Sequence, residues 1–310
     1  MARRQTESLH PAARGLDARP DDQILPLLLA GQLEALMAVQ PALPQIAAGA
    51  RLMADCLRTG GRICYAGAGS SALMANADGM ELPGTYGISP DRILLRMAGG
   101  IPTSPHMPGD TEDDATDGIH QATVDGLGRG DLVIAVTASG STPYPMALAG
   151  EARRNGARIV AVACNRDAPI FAVADVAICL ATPAELIAGS TRMGAGTAQK
   201  VTLNLLSTLA AIRLGEVHDG MMVGLTADNA KLRARAAAIV GAIADVDDGA
   251  AMESLRQTDG AVKPAVLMAL GITHHQAQRL LDDTQGNLRA AIARLTEPAR
   301  QAGNKQSTRE

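Results

Sequence analysis

Five short apolar runs, rich in β-branched residues, dominate the first two-thirds of this chain. They span residues 63–66, 93–98, 132–137, 159–163 and 176–180, and glycine turns and mostly helical segments separate them. Strand, turn, helix and strand in repeated order leave few options. The strands run parallel, and helices must cover both faces of the sheet they form. The predicted fold is therefore α/β, a five-stranded parallel sheet with helices on both faces. In such sheets ligands gather outside the carboxyl ends of the strands. Small polar residues cluster at those ends, as Gly67-Ala68-Gly69-Ser70-Ser71 after the first run and Thr137 to Tyr144 (TASGSTPY) after the third.

Helical spacing places two N-terminal helices over 23–58, with a proline break at 41–44 and an end at Thr59-Gly60-Gly61. Further helices are expected over 195–214, 228–243, 262–270, 273–283 and 286–295. The domain reading is an N-terminal arm at 1–22, a sheet domain with flanking helices at 23–245, a small helical module at 246–298 and a polar tail at 299–310.

Composition excludes several functions. The formal charge is −4, so no bulk electrostatic footprint for nucleic acid exists. Aromatics make up 1% of the chain, which removes base stacking as a main recognition device. Cys56, Cys64, Cys164 and Cys179 form no CxxC pair and read as free thiols of a reducing cytoplasm. The start MARRQTESLH lacks an apolar core, so no signal peptide is expected, and no bilayer-spanning run is expected either.

The stretch from Ile63 to Gly87 carries the chemistry. It reads as a strand, an anion-binding turn at Gly69, Ser70 and Ser71, a helix, and then a carboxylate, Glu81, delivered near the turn. Gly67, Gly69 and Ala72 also fit the dinucleotide pattern, but the second strand ends Met97-Ala98-Gly99-Gly100, without the acid a ribose needs. Two serines after the glycines suit a phosphate monoester better. Ser139, Ser141 and Thr142 form a second hydroxyl-rich turn, with helix capping by Thr142 before Pro143 as the competing role. In the acidic run 110–117, Thr111 and Asp114 read as a helix cap, and the acids, Glu112 aside for the reason the resemblance below supplies, read as a solvated helix start. His106 lies in the preceding loop and is a weaker site candidate. No histidine pair has metal-site spacing, and no metal or organic cofactor is expected.

Taken together, GAGSS, DGMELPGTYG, TEDD, ASGSTPY and GSTRMGAGTAQK resemble the N-acetylmuramic acid 6-phosphate etherases and the related glucokinase regulatory proteins, over about residues 5–295. The resemblance implies the sugar-isomerase (SIS) fold and a small, UBA-like helical end. It implies a cytoplasmic homodimer that acts in N-acetylmuramate catabolism and peptidoglycan recycling on a phosphorylated amino sugar. The implied reaction cleaves a D-lactyl ether by elimination and water addition, with Glu81 as the acid and Glu112 as the base. It also implies roles for Ser190 and Arg192 in substrate binding. Three basic positions of the family pattern are replaced here, by Leu73, Ser141 and Gly194. Two other readings remain at this stage: a divergent lyase on another 3-substituted sugar phosphate, and a non-catalytic sugar-phosphate sensor. An NADP-linked oxidoreductase using Arg96 is the remote third.

Overall fold

The structure is a computed structural model, and it describes residues 5–105, 107, 109–225, 227 and 229–296. His106 and the tail from 297 onward lie outside the described residues. The chain forms two compact units. The first comprises Met1–Glu81 with Ser89–Ala210, the second Leu82–Ile88 with Ala211–Glu310.

The first unit is built on β1 (Ile63–Gly67), β2 (Ile93–Met97), β3 (Leu132–Thr137), β4 (Arg158–Ala163) and β5 (Val176–Cys179). All pairings are parallel and the order is β2-β1-β3-β4-β5. The predicted strands are all present, each within a residue at either end. The order reverses direction between β1 and β3, which pair with Gly67 opposite Val136. That reversal opens a crevice at the carboxyl ends, and the two hydroxyl-rich turns leave the sheet on either side of it.

Helices α4 (Ala115–Val124) and α5 (Pro143–Arg154) cover one face, burying Ala122, Tyr144 and Leu148 against Cys64, Val133 and Ile159. On the other face lie α2 (Leu43–Arg58), α3 (Gly69–Tyr86) and α6 (Gly194–Leu214). They approach closely through glycine. A Cβ on Gly79 of α3 would lie 3.0 Å from the Tyr65 ring, and one on Gly49 of α2 would lie 3.0 Å from Leu206 of α6. With few aromatics to fill space, packing density comes from alanine and glycine letting backbones approach. Asp78 of α3 ties this face together. Its carboxylate accepts hydrogen bonds from Tyr65 Oη (2.7 Å), Asn204 Nδ2 (2.8 Å) and Ser207 Oγ (2.9 Å). Burial and the adjacent Asp78 push the Tyr65 phenol well above its ordinary range.

Ahead of the sheet lie α1 (Asp21–Met37) and α2, joined by a 3-10 turn at Gln40–Ala42 that holds Pro41, with Pro44 in the first turn of α2. Residues Asp21–Arg58 do contain a window long and apolar enough to cross a membrane by length and composition, contrary to the sequence expectation. Only 11% of that window is buried. Length and composition alone carry that test, and Asp21–Arg58 covers α1, the 3-10 turn and α2 rather than one helix. Among the described residues the four cysteines are unpaired, and burial pushes the Cys56, Cys64 and Cys164 thiols up to about 12.

The second unit is helical: α7 (Ala230–Ala244), α8 (Asp248–Gln257), α9 (Val262–Ala269), α10 (His274–Asp283) and α11 (Leu288–Thr296). They enclose their own core around Val240, Leu255, Val266 and Ala277. A two-stranded hairpin, β6 (Val217–His218) and β7 (Met221–Met222), precedes them. The hairpin and α8 went unpredicted because neither carries enough apolar residues in a row to register as a pattern.

Candidate active site

Gly67 ends β1 at a place where backbone meets backbone. A Cβ there would lie 3.0 Å from Ala72 N and from Val136 O. Gly69 then takes φ +52°, and α3 begins at that residue. The turn therefore presents the unbonded N–H groups of a helix start beside Ser70 and Ser71, an arrangement suited to a phosphate.

The turn after β3 is a hydroxyl cluster. Thr137 Oγ1 lies 2.8 Å from Thr142 Oγ1, and Ser139 Oγ lies 3.3 Å from both the Thr142 and the Ser141 hydroxyls. Thr142 does occupy the N-cap position of α5, but its side chain makes no capping hydrogen bond. Its oxygen belongs to the cluster instead. Gly140 has φ +77°, and a Cβ there would run into Ala168, so this turn is as dependent on glycine as the first.

Glu112 sits in a 3-10 turn, Asp110–Asp113, just before α4. The cap of α4 is Asp114, which accepts from Asp117 N–H (2.9 Å); Thr111 is one turn too early for that role. The Thr111 side chain instead packs where a Cβ on Gly99 would lie. Glu112 is thereby left exposed and directed over the β1 turn. Its Oε2 is 4.0 Å from the position a Cβ on Gly69 would take.

A cleft of about 370 Å³ joins these parts. It brings together Gly69, Ser70, Ser71, Ser139, Ser141, Thr142 and Glu112. It also takes in residues that sequence reasoning passed over, namely Thr137, Asp113, Thr191 and two residues of the N-terminal arm, Thr6 and Glu7. Thr137 was legible as the last strand residue. Nothing local marked Thr6 or Glu7.

Three sequence candidates lie apart from this cleft. Ser190 is half-buried and Arg192 exposed, and neither lines it, although their neighbours Gly189 and Thr191 do. The α6 start beside them is occupied from within, since the buried Glu185 carboxylate accepts from Gly194 N–H (3.0 Å) and Ala195 N–H (2.9 Å). Glu81 is exposed and does not line the cleft either. Pro83 does not end the helix, which continues to Tyr86. Glu81 thus lies twelve residues along α3 from Gly69, a rise of about 18 Å. Within one chain the anion turn and Glu81 occupy different parts of the same helix.

Among the described residues the cleft is lined by three carboxylates, Glu7, Glu112 and Asp113, and by no lysine, arginine or histidine. The donors that these described residues offer an anion are neutral, backbone N–H and hydroxyl. No cluster of metal-ligating side chains occurs among the described residues.

A doubly wound parallel sheet with hydroxyl-rich turns at its switch point defines the class, and the family profile described as SIS domain matches residues 33–164. An N-acetylmuramic acid 6-phosphate etherase of Deinococcus radiodurans is 38% identical over 93% of this chain and 95% of its own length. One from Streptomyces avermitilis is 39% identical over 93% of each chain, and one from Symbiobacterium thermophilum is 44% identical over 76% of this chain and 78% of its own. The chain belongs to the N-acetylmuramic acid 6-phosphate etherase family.

Proposed function

We propose that this protein is a carbon–oxygen lyase that cleaves the D-lactyl ether of N-acetylmuramic acid 6-phosphate, giving N-acetylglucosamine 6-phosphate and D-lactate. The observation that carries the reading is the Glu112 carboxylate standing over the Gly69 turn in a cleft shared with the hydroxyls of Ser70, Ser71, Ser139, Ser141 and Thr142. The phosphate binds the helix start and the two turns through Ser70, Ser71, Ser139, Ser141 and Thr142. In the open-chain sugar the aldehyde acidifies the proton on C2. Glu112 takes that proton, the C3–O bond breaks, and Glu81 protonates the departing lactate oxygen. Water then adds across the double bond, its hydroxyl to C3 and its proton to C2. Two carboxyl groups in separate environments can be held one ionised and one protonated, as this sequence requires.

The 18 Å rise along α3 supports a site assembled from two copies, with Glu81 supplied by the second. An exposed apolar stripe offers a surface for such a dimer. Leu25, Leu29, Leu33 and Met37 recur every fourth residue on α1 and are 54–65% exposed. Ser190 and Arg192 would meet the substrate in that assembly. The four unpaired cysteines support a cytoplasmic setting.

The test is D-lactate release from N-acetylmuramic acid 6-phosphate by the purified protein. Release that Glu112→Ala abolishes, in a folded variant, is the expected result. The absence of a cation from the cleft lining among the described residues favours one second reading, a sugar-phosphate sensor. Binding of the sugar phosphate by folded wild-type protein without lactate release would select it.

A further inference from the structure

The N-terminal arm contributes a wall of the cleft, although some 130 residues separate it from the turn it meets. Asn165, just beyond β4, makes the connection. Its Oδ1 accepts from Gln5 N–H (3.1 Å), and its Nδ2 donates to Ala138 O (3.1 Å), Ser139 O (3.3 Å) and Thr6 Oγ1 (3.4 Å). One amide thus clamps the arm onto the same turn that carries the anion-binding hydroxyls. Thr6 is buried to 1% exposure and serves as the anchor. The next residue, Glu7, lies at the cleft, with Oε2 3.5 Å from where a Cβ on Gly189 would stand. One carboxylate therefore stands over the Gly69 turn and another beside the Gly189 turn.

A carboxylate has no use for a phosphate, which it repels. It is a strong acceptor for hydroxyl groups, and an open-chain sugar phosphate carries several along its carbon backbone. We propose that Glu7 is a substrate-orienting residue, accepting hydrogen bonds from sugar hydroxyls. With the phosphate held by the neutral donors, a second fixed point selects one rotation of the sugar and presents C2 to Glu112. The inference rests on the reading that this cleft binds a sugar phosphate. It assigns Glu7 no proton transfer.

Titration calorimetry with N-acetylglucosamine 6-phosphate and, separately, inorganic phosphate tests it on full-length wild type, Glu7→Gln and Glu7→Ala. Loss of a charge-assisted acceptor is expected to weaken the sugar phosphate about tenfold in Glu7→Ala. Glu7→Gln, which retains one acceptor oxygen, falls in between. Inorganic phosphate, which does not reach Glu7, keeps its affinity or gains slightly as a nearby negative charge disappears. A collapsed arm would instead weaken both ligands together, and so would overturn the proposal. Unchanged sugar-phosphate affinity in Glu7→Ala would overturn it as well. Lactate release by wild type separates the two readings. Release together with unchanged sugar-phosphate affinity in Glu7→Ala sinks only the role of Glu7. Loss of selectivity without release by wild type sinks only the etherase reading. Failure of wild type to bind the sugar phosphate sinks both.

Discussion

The Glu112 carboxylate and the Gly69 turn face one another, with Oε2 4.0 Å from the place a Cβ on Gly69 would occupy. A base removing a proton from a carbon of the bound sugar needs this adjacency to the anion site. Glu112→Gln is therefore expected to lower kcat about a hundredfold or more, with affinity for inorganic phosphate kept or raised as the neighbouring negative charge disappears. Gly69→Ala forces a left-handed residue to carry a side chain, which costs about 1 kcal/mol. It should lower Tm and weaken sugar-phosphate binding while leaving Glu112 in place. Equal loss of phosphate affinity in both variants would show that Glu112 supports the turn rather than the chemistry.

The 2.8 Å approach of the Thr137 and Thr142 hydroxyls gives a second expectation. Thr142→Val preserves shape and removes one anion donor. The cluster loses one hydroxyl, and the KM for sugar phosphate should rise about fivefold, the equivalent of about 1 kcal/mol for one hydrogen bond. The capping role predicts something else: a drop in Tm with KM unchanged. The missing side-chain cap in the structure argues for the first outcome.

Glu81 and Glu112 provide a test of subunit sharing. Each single variant, Glu81→Ala or Glu112→Ala, should be inactive alone. If a site takes one residue from each copy, mixing the two after subunit exchange yields mixed dimers with one intact site. Activity should return to about a quarter of wild type at equal mixing. No recovery would place both carboxylates in one chain. Introducing charge on the α1 stripe, as in Leu29→Glu with Leu33→Glu, should produce a monomer by light scattering and abolish turnover with it.

In the second unit Lys263 Nζ pairs with Glu216 at 2.7 Å, and both side chains are largely buried. Desolvation raises the Glu216 carboxyl above its ordinary value, and Lys263 opposes that rise. Lys263→Met leaves the acid buried and unpaired, which should cost about 3 kcal/mol at pH 7. The sign with pH follows from proton binding. A folded-state pKa raised above the unfolded one means the native state holds more protons in that window, so its stability falls as pH rises. Without the lysine the rise is unopposed. The Lys263→Met deficit should therefore shrink on moving from pH 7 to pH 5, as read by urea midpoints. A deficit independent of pH would show that the loss is packing alone.

The amino-acid sequence by itself determined the layered architecture. Alternating β-rich runs and glycine turns admit little besides a covered parallel sheet, and each of the five strands lies within a residue of its predicted place at either end. Sequence also marked both hydroxyl turns, because a strand end, a glycine and a serine are local features that read out locally, whereas Glu112 was singled out only by the family resemblance. Tertiary structure decided what depends on distance along the chain. The strand order β2-β1-β3-β4-β5 set the two turns side by side, and no local pattern encodes which strand becomes whose neighbour. The unbroken course of α3 from Gly69 through Glu81 carried that carboxylate far from the turn, because each helical residue adds about 1.5 Å of rise. The Asn165 clamp drew Glu7 into the cleft from an arm with no pattern of its own. Such placements are made by a few hydrogen bonds and buried side chains between segments far apart in sequence, and they exist only once the chain has folded.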